Sequence, residues 1–336
     1  MVKKSVQTIE DIARLANVSK STVSRALNDS PLVKDETKER IRAIARQHHF
    51  RINAPARQLS LKQSCTIAYV THAYHKDFSI EDLFGLEIMG GISGGLHASG
   101  YDMLVVHVDP RNTEWAHQYL DSGRVDGFIL MTSSRKQFHI KALLEMGAPF
   151  IVWGVPLPRY SYCSVTGDNL SGGKLATEYL IRSGRERIAF IGGPADELEV
   201  QQRFQGYETA LQTAGRNVDP ARVVYRDFCS EGGTSAMQLL LDQAPDLDAV
   251  FANSDLMAIA AIDVIRNQGR QVPEDVAVIG YDDLSVAAYN SLPLTTIRQN
   301  IPLAGRLLAQ NLIQYLQTGV VTNVTIPVEL VVRKSA

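Results

Sequence analysis

The chain has 336 residues, 45% of them hydrophobic and 21% charged, which allows two or three domains with sizeable cores. It offers no run of about 18 apolar residues, and MVKKSVQTIEDIARL at its start has lysines with no apolar stretch behind them, so neither a membrane span nor a secretory signal is expected. The net charge of -2 hides an asymmetry: residues 1–62 carry 13 Lys+Arg against 6 Asp+Glu, whereas the remainder is acidic, and such a basic head on an acidic body fits a polyanion partner.

In TIEDIARLANVSKSTVSRALN, residues 8–28, the residues Ile9, Ile12, Ala13 and Ala16 recur at helical spacing, and Thr8 with Asp11 forms a capping-box pattern. Asn17 tolerates the left-handed conformation of a tight turn, and Ser19 is placed to cap a second helix that turns Val23 and Leu27 inward. A third helix, from Lys34 or Asp35 to His48, closes the core with Ile41, Ile44 and Ala45. The outward face of the second helix carries Lys20, Ser21, Thr22, Ser24 and Arg25, nearly free of acids and large apolar groups. Such a helix suits a DNA major groove: Lys20, Ser21 and Arg25 are placed to read bases while hydroxyls contact phosphates.

These residues resemble the DNA-binding head of the lactose-repressor (LacI/GalR) family. The pattern is carried by Thr8, Asp11, Ala13, Ala16, Val18, Ser19, Thr22, Val23, Ser24, Arg25, Leu27 and Asn28, and FRINAPARQL continues it with Phe50, Asn53, Ala56, Arg57 and Leu59. Ile52 stands where the family usually has proline. The resemblance implies that Thr8, Ser19 and Asn28 also touch DNA, and that residues 53–61 form a short hinge helix only on operator, with Leu59 as a minor-groove wedge. Asn53 can cap that helix, and Pro55 falls in its first turn, where a missing N–H removes no bond.

Beyond Lys62, short apolar runs alternate with helix-length stretches, the texture of parallel α/β sheets. TIAYV, MLVVHV, GFILM and FIVWG form a first set; RIAFIGG, RVVYRDF, AVFAN and VAVIGYDD form a second. Two doubly wound lobes follow, with a ligand cleft at the carboxyl ends of their strands.

The resemblance extends over this body, which is also similar to periplasmic sugar-binding proteins. It rests on VDGFIL (125–130), Asp168-Asn169 with Gly172, Gly173 and Ala176 behind, IGGP (191–194), and Arg203 ahead of Gly206-Tyr207. SDLMA (254–258), VPEDVAVIGYDD (272–283), LTTIRQ (294–299) and ELVVRKS (329–335) complete it. It implies effector contacts at Asp168, Arg203, Phe228, Ser254 or Asp255, Asp282 and Gln299, with Phe228 and Trp153 as apolar faces for a sugar ring. His72 and Phe84 lie where the other lobe contributes, and whether Ser254 or Asn253 faces the ligand stays open.

Rival classes fit less well. GDNLSGGKL (167–175) lacks the first glycine and the trailing Ser/Thr of a phosphate loop, and GGISGG (90–95) reads as a small-residue helix face. Neither a Gly-x-Ser-x-Gly elbow nor a His-Glu-x-x-His motif occurs, so an enzyme is not expected. Cys65, Cys163 and Cys229 are widely spaced, which suggests neither zinc nor disulfides but a reducing cytoplasm. A transport solute-binding protein would carry no helix-turn-helix head.

The expected organisation is an all-α helix-turn-helix domain at 1–52, a hinge at 53–64, and a two-lobed periplasmic-binding-protein-like body at 65–336. Lobe 1 is assigned to 65–160 plus 293–320, and lobe 2 to 161–292 plus 321–336. The expected function is a ligand-controlled transcription regulator, a repressor, acting as a homodimer or dimer of dimers on double-stranded operator DNA. Its effector is expected to be a sugar, with a purine or other metabolite as the alternative; no cofactor or metal is expected.

Overall fold

The computed structural model describes residues 8–27, 29–50, 63–72, 83–108, 112, 114–131 and 137–336, and its chain divides into two compact units, Met1–Ser64 and Cys65–Ala336. In the first unit, α1 (Ile9–Leu15), α2 (Lys20–Leu27) and α3 (Asp35–Gln47) enclose Ile12, Ala13, Ala16, Val23, Ala26, Val33, Ile41 and Ala45. Thr8 and Asp11 make the reciprocal capping box at the start of α1. Asn17 turns the chain at φ 52°, and the Thr22 N–H donates to the Ser19 hydroxyl at 3.1 Å. The inward positions of α2 are Val23 and Ala26, and Leu27, expected inward, is partly buried against the same core.

In the second unit, β1 (Thr66–His72), α4 (Leu83–Ala98), β2 (Asp102–Val108), α5 (Trp115–Leu120), β3 (Gly127–Met131), α6 (Gln137–Glu145), β4 (Phe150–Trp153) and β5 (Cys163–Gly167) build most of one lobe. The chain then crosses into α7 (Asn169–Arg182), β6 (Ile188–Gly192), α8 (Leu198–Thr213), β7 (Val223–Tyr225), α9 (Ser230–Gln243), β8 (Ala249–Ala252), α10 (Asp255–Asn267), β9 (Ala277–Asp282), α11 (Ser285–Tyr289) and β10 (Thr295–Arg298). It returns for α12 (Ile301–Thr318) and β11 (Asn323–Ile326), and crosses again for β12 (Glu329–Val331).

The first sheet runs β11-β5-β4-β3-β1-β2 and the second β12-β10-β9-β8-β6-β7. All neighbours are parallel except β10 and β12. The near-continuous apolar runs of the central strands follow from this, since helices cover both faces.

These pairings correct the expected lobe boundaries. Cys163–Gly167 and Asn323–Ile326 belong to lobe 1, and Thr295–Arg298 to lobe 2. The reason is that each crossing falls at the carboxyl end of a strand: at Asp168, at 299–300 and at 327–328. Those strands are short and partly polar (CSVTG, TTIR, NVTI), so their texture alone does not mark them.

Glycines set the tightest helix packing of lobe 1. A Cβ at Gly91 would lie 2.6 Å from the Pro302 carbonyl oxygen, and one at Gly95 would lie 2.8 Å from the Ala309 Cβ, so α4 and α12 touch backbone to backbone. The lobes also meet through apolar side chains, since Leu284 with Leu256 and Val286 of lobe 2 packs into the lobe 1 core that holds Ile88 and Ile301.

Candidate effector cleft and DNA-reading head

The carboxyl ends of β4, β5, β6, β8, β9 and β10 deliver the cleft residues. Arg203 on α8 is buried and held from three sides. Its Nε donates to Asn169 Oδ1 at 2.9 Å, its Nη1 donates to the Asn253 carbonyl at 2.7 Å, and its guanidinium carbon lies 3.7 Å from the centre of the Tyr281 ring. Asn169, turned to receive it, donates through Nδ2 to the Gly167 carbonyl at 3.0 Å. Gly173 lets α8 approach this closely: a Cβ there would sit 2.0 Å from the Arg203 carbonyl oxygen, so this glycine of GDNLSGGKL serves helix packing.

Asp282 closes β9 at φ 115°, a conformation uncommon for a residue with a side chain, and its Oδ1 accepts from Gln299 Nε2 at 2.8 Å. Burial holds its carboxyl above the ordinary range, against the pull of the Arg203 charge and the Gln299 hydrogen bond. Among the described residues, Gln299 Oε1 and both Nδ2 and Oδ1 of Asn253 are buried without a protein hydrogen-bond partner, an arrangement expected of groups that a ligand completes.

Ser254 and Asp255 have other tasks. The Ser254 hydroxyl caps α10 by accepting the Met257 N–H at 3.3 Å. The Asp255 carboxylate, fully buried, accepts the Leu284 N–H at 2.7 Å and the Thr296 hydroxyl at 2.5 Å, and a Cβ on Gly280 would lie 2.5 Å from it. Asp255 thus faces into lobe 2, where burial and the Asp282 charge push its carboxyl well up. Asp168 is half-buried at the start of α7, where Oδ1 accepts the Ser171 N–H at 3.0 Å and Oδ2 the Ser171 hydroxyl at 2.7 Å.

Aromatic walls flank the polar group. Phe228 is 38% exposed and lies over Gly193, where a Cβ would come within 2.2 Å of its ring. On lobe 1, Trp153 and Phe84 are half-buried with ring centroids 5.8 Å apart. His72 is the last residue of β1, which runs two residues beyond the expected TIAYV.

Nothing in the sequence singles out Glu199, on α8. Its Oε1 accepts the Val155 N–H of lobe 1 at 2.7 Å, and desolvation pushes its carboxyl up to about 7. A second inter-lobe bond joins Glu87 of α4, which accepts the Ser285 N–H at 2.9 Å. The only mark of either in the sequence is an acid near the start of a helix, shared by many solvated residues. Among the described residues, no group of three or more His, Cys, Asp or Glu is placed to hold a metal, and no helix is long and apolar enough to cross a membrane.

On the head, Lys20, Ser21 and Arg25 are exposed along α2. The Ser19 hydroxyl lies 2.8 Å from those of both Ser21 and Thr22, and Thr8 is committed to its capping box. Asn28, Asn53, Ala56, Arg57 and Leu59, expected to touch DNA, lie outside the described residues.

A helix-turn-helix head joined to a two-lobed α/β body with a polar cleft defines a DNA-binding regulator with a periplasmic-binding-protein-like sensor. Residues 8–53 match bacterial regulatory proteins of the lacI family, and residues 177–336 match the periplasmic binding protein-like domain. The HTH-type transcriptional regulator CelR of Thermobifida fusca is 38% identical over 98% of this chain and 97% of its own; the ribose operon repressor of Haemophilus influenzae is 33% identical over 91% of each. Among solved structures, the CelR–cellobiose complex superposes with a TM-score of 0.76 at 35% identity, covering 98% of this chain and 99% of that one. The Lac repressor dimer bound to operator and the anti-inducer ONPF gives 0.83 at 27% identity, covering 98% of each. The chain belongs to the lacI family of bacterial regulatory proteins, and is a ligand-controlled, sequence-specific DNA-binding transcriptional regulator.

Proposed function

We propose that this regulator is a cytoplasmic repressor, without catalytic activity, whose effector is a sugar bound between the lobes. The observation that carries the reading is the set of buried polar atoms at the strand ends, Asn253 Nδ2 and Oδ1 and Gln299 Oε1, which lack protein partners among the described residues and lie beside Arg203 and Asp282. Paired donors and acceptors of this kind match vicinal hydroxyls, and Phe228 with Trp153 supplies apolar faces for the ring. The relatives favour a sugar over a purine, since one is complexed with cellobiose and another is a ribose operon repressor. Asp168 contributes its remaining acceptor capacity, and His72 and Phe84 stand on the lobe 1 side. Ligand shifts the balance between lobe arrangements, and the shift alters operator affinity of paired heads in a homodimer through residues 53–61.

Titration calorimetry with cellobiose, ribose, other mono- and disaccharides and a set of purine bases tests the effector class. Saturable binding of a sugar, with a change in affinity for an operator duplex, is the expected result. Binding confined to a purine would move the effector to that class, and binding of none would remove the sugar reading.

A further inference from the structure

The carboxylate of Glu10, in the first turn of α1, is in direct contact with the ammonium of Lys20, the first residue of α2. The neighbouring acid, Asp11, is committed to the Thr8 cap and to Arg14, so Glu10 is the α1 acid turned toward the second helix. Both partners are more than half exposed, and a solvated pair of this kind adds little to stability. Local energetics do not favour Lys20 where it is, because a cation at the amino end of a helix opposes the helix dipole, and the first turn of α2 holds no acid to offset it. A carboxylate at the DNA-facing end is unfavourable in a second way, since phosphates repel it.

These two disadvantages share one chemical use. In the major groove a G·C pair presents two adjacent acceptors on guanine, which suit an ammonium, followed by cytosine's amino donor, which suits a carboxylate; an A·T pair sets adenine's amino donor between two acceptors and ends on thymine's methyl group, so that adjacent order is lost. We propose that Glu10 is a specificity-determining residue of the head, acting with Lys20 as a two-residue reader that requires a G·C pair in each half-site. On non-specific DNA the carboxylate holds Lys20 away from phosphates and lowers affinity, so the pair widens the gap between operator and bulk DNA. The inference rests on α2 being the helix that enters the groove.

Selection from a randomised duplex pool with the full-length chain, repeated with Glu10→Gln and Lys20→Met, tests it. The wild type should select half-sites with one strongly preferred G·C pair, discriminated at least tenfold from A·T. Glu10→Gln should cut that discrimination to threefold or less at the same position and leave the others unchanged, while raising affinity for a non-selected duplex severalfold. Lys20→Met should relax the same position, and the double variant should be no more relaxed than either single one. A merely structural role would not move the preference at one position, and thermal melting of each variant checks the fold. Unchanged discrimination in Glu10→Gln overturns the proposal and leaves the groove-reading helix standing. Absence of any selected sequence with the wild type overturns both.

Discussion

The guanidinium of Arg203 stacks on the ring of Tyr281 at 3.7 Å while two of its nitrogens are bonded to Asn169 and to the Asn253 backbone. Arg203 is therefore a strut of lobe 2, and the flat cation is what makes the fork and the stack possible together. Arg203→Lys keeps the charge and loses the fork and the stack. It should destabilise the body by about 2–4 kcal/mol in chemical denaturation, the range of one charge-assisted hydrogen bond plus a buried cation–π contact, and abolish effector binding. Wild-type stability in this variant would reduce Arg203 to a surface contact.

Asn253 and Ser254 are adjacent, and their roles separate cleanly. Ser254→Ala removes the cap of α10 and should lower stability by about 1 kcal/mol with effector affinity unchanged. Asn253→Ala removes two buried polar atoms that no group among the described residues satisfies, so stability should hold or rise while effector affinity falls about tenfold. Melting curves and calorimetry on both variants decide the matter; the opposite pattern would reassign the contact to Ser254.

The same pair shows how far the sequence could be read. Asp282 and Gln299 could be proposed for the cleft because each ends or follows a parallel strand, whose carboxyl end faces the crevice, whereas Arg203 lies inside α8 and only the family resemblance pointed to it. At 253–255 three polar residues follow one another, and the one-residue steps of helix entry decide which is cap, which is cleft and which is core; no periodicity resolves that. Glu199 was illegible for another reason: its partner is a backbone N–H 44 positions away in the other lobe, which carries no side-chain signature. The apolar strands set the two sheets, whereas the crossing strands CSVTG, TTIR and NVTI are too polar and short to announce which sheet they join.

Glu199 gives the body a pH dependence with a definite sign. Its carboxyl is raised to about 7 in the folded protein from an ordinary value of 4.5, so the native state binds more protons than the unfolded state between those pH values. Its contribution is fully present below 4.5 and is lost as pH rises through 7. Glu199→Gln retains an oxygen to accept the Val155 N–H and cannot ionise. The stability difference between this variant and wild type should therefore grow in favour of the variant from pH 5 to pH 8, by on the order of 1–3 kcal/mol. A difference that is flat across that range, in parallel melts, would show Glu199 to be solvated.

Four of the glycines of helix α4 lie in two rows. Gly91 and Gly95 face α12, while a Cβ added at Gly90 or Gly94 would meet nothing within 4 Å. Gly95→Ala should cost about 1–3 kcal/mol through overpacking against Ala309 and the Arg306 backbone. Gly94→Ala should instead stabilise by about 0.5–1 kcal/mol, because alanine loses less backbone freedom in a helix. Equal effects of the two substitutions, by denaturant titration, would contradict the close α4–α12 contact.

Arg25 tests whether reading and sensing are separable. It is exposed in the last turn of α2, one helical turn beyond Ser21 and on the same face, where a guanidinium can meet guanine's paired acceptors. A direct base contact is worth about 1–3 kcal/mol, and a dimer on a two-fold operator makes it twice, so Arg25→Ala should weaken operator binding by well over tenfold. Non-specific binding should fall far less, because only one cation among many is lost. Effector affinity in the same variant should match wild type, since residues 1–64 and 65–336 form separate compact units and the cleft lies wholly in the second. Gel-shift titration on a selected and a scrambled duplex, paired with calorimetry, reads all three quantities. Equal losses on both duplexes would make Arg25 a phosphate contact, and the base-reading role would pass to Lys20 and Ser21 alone.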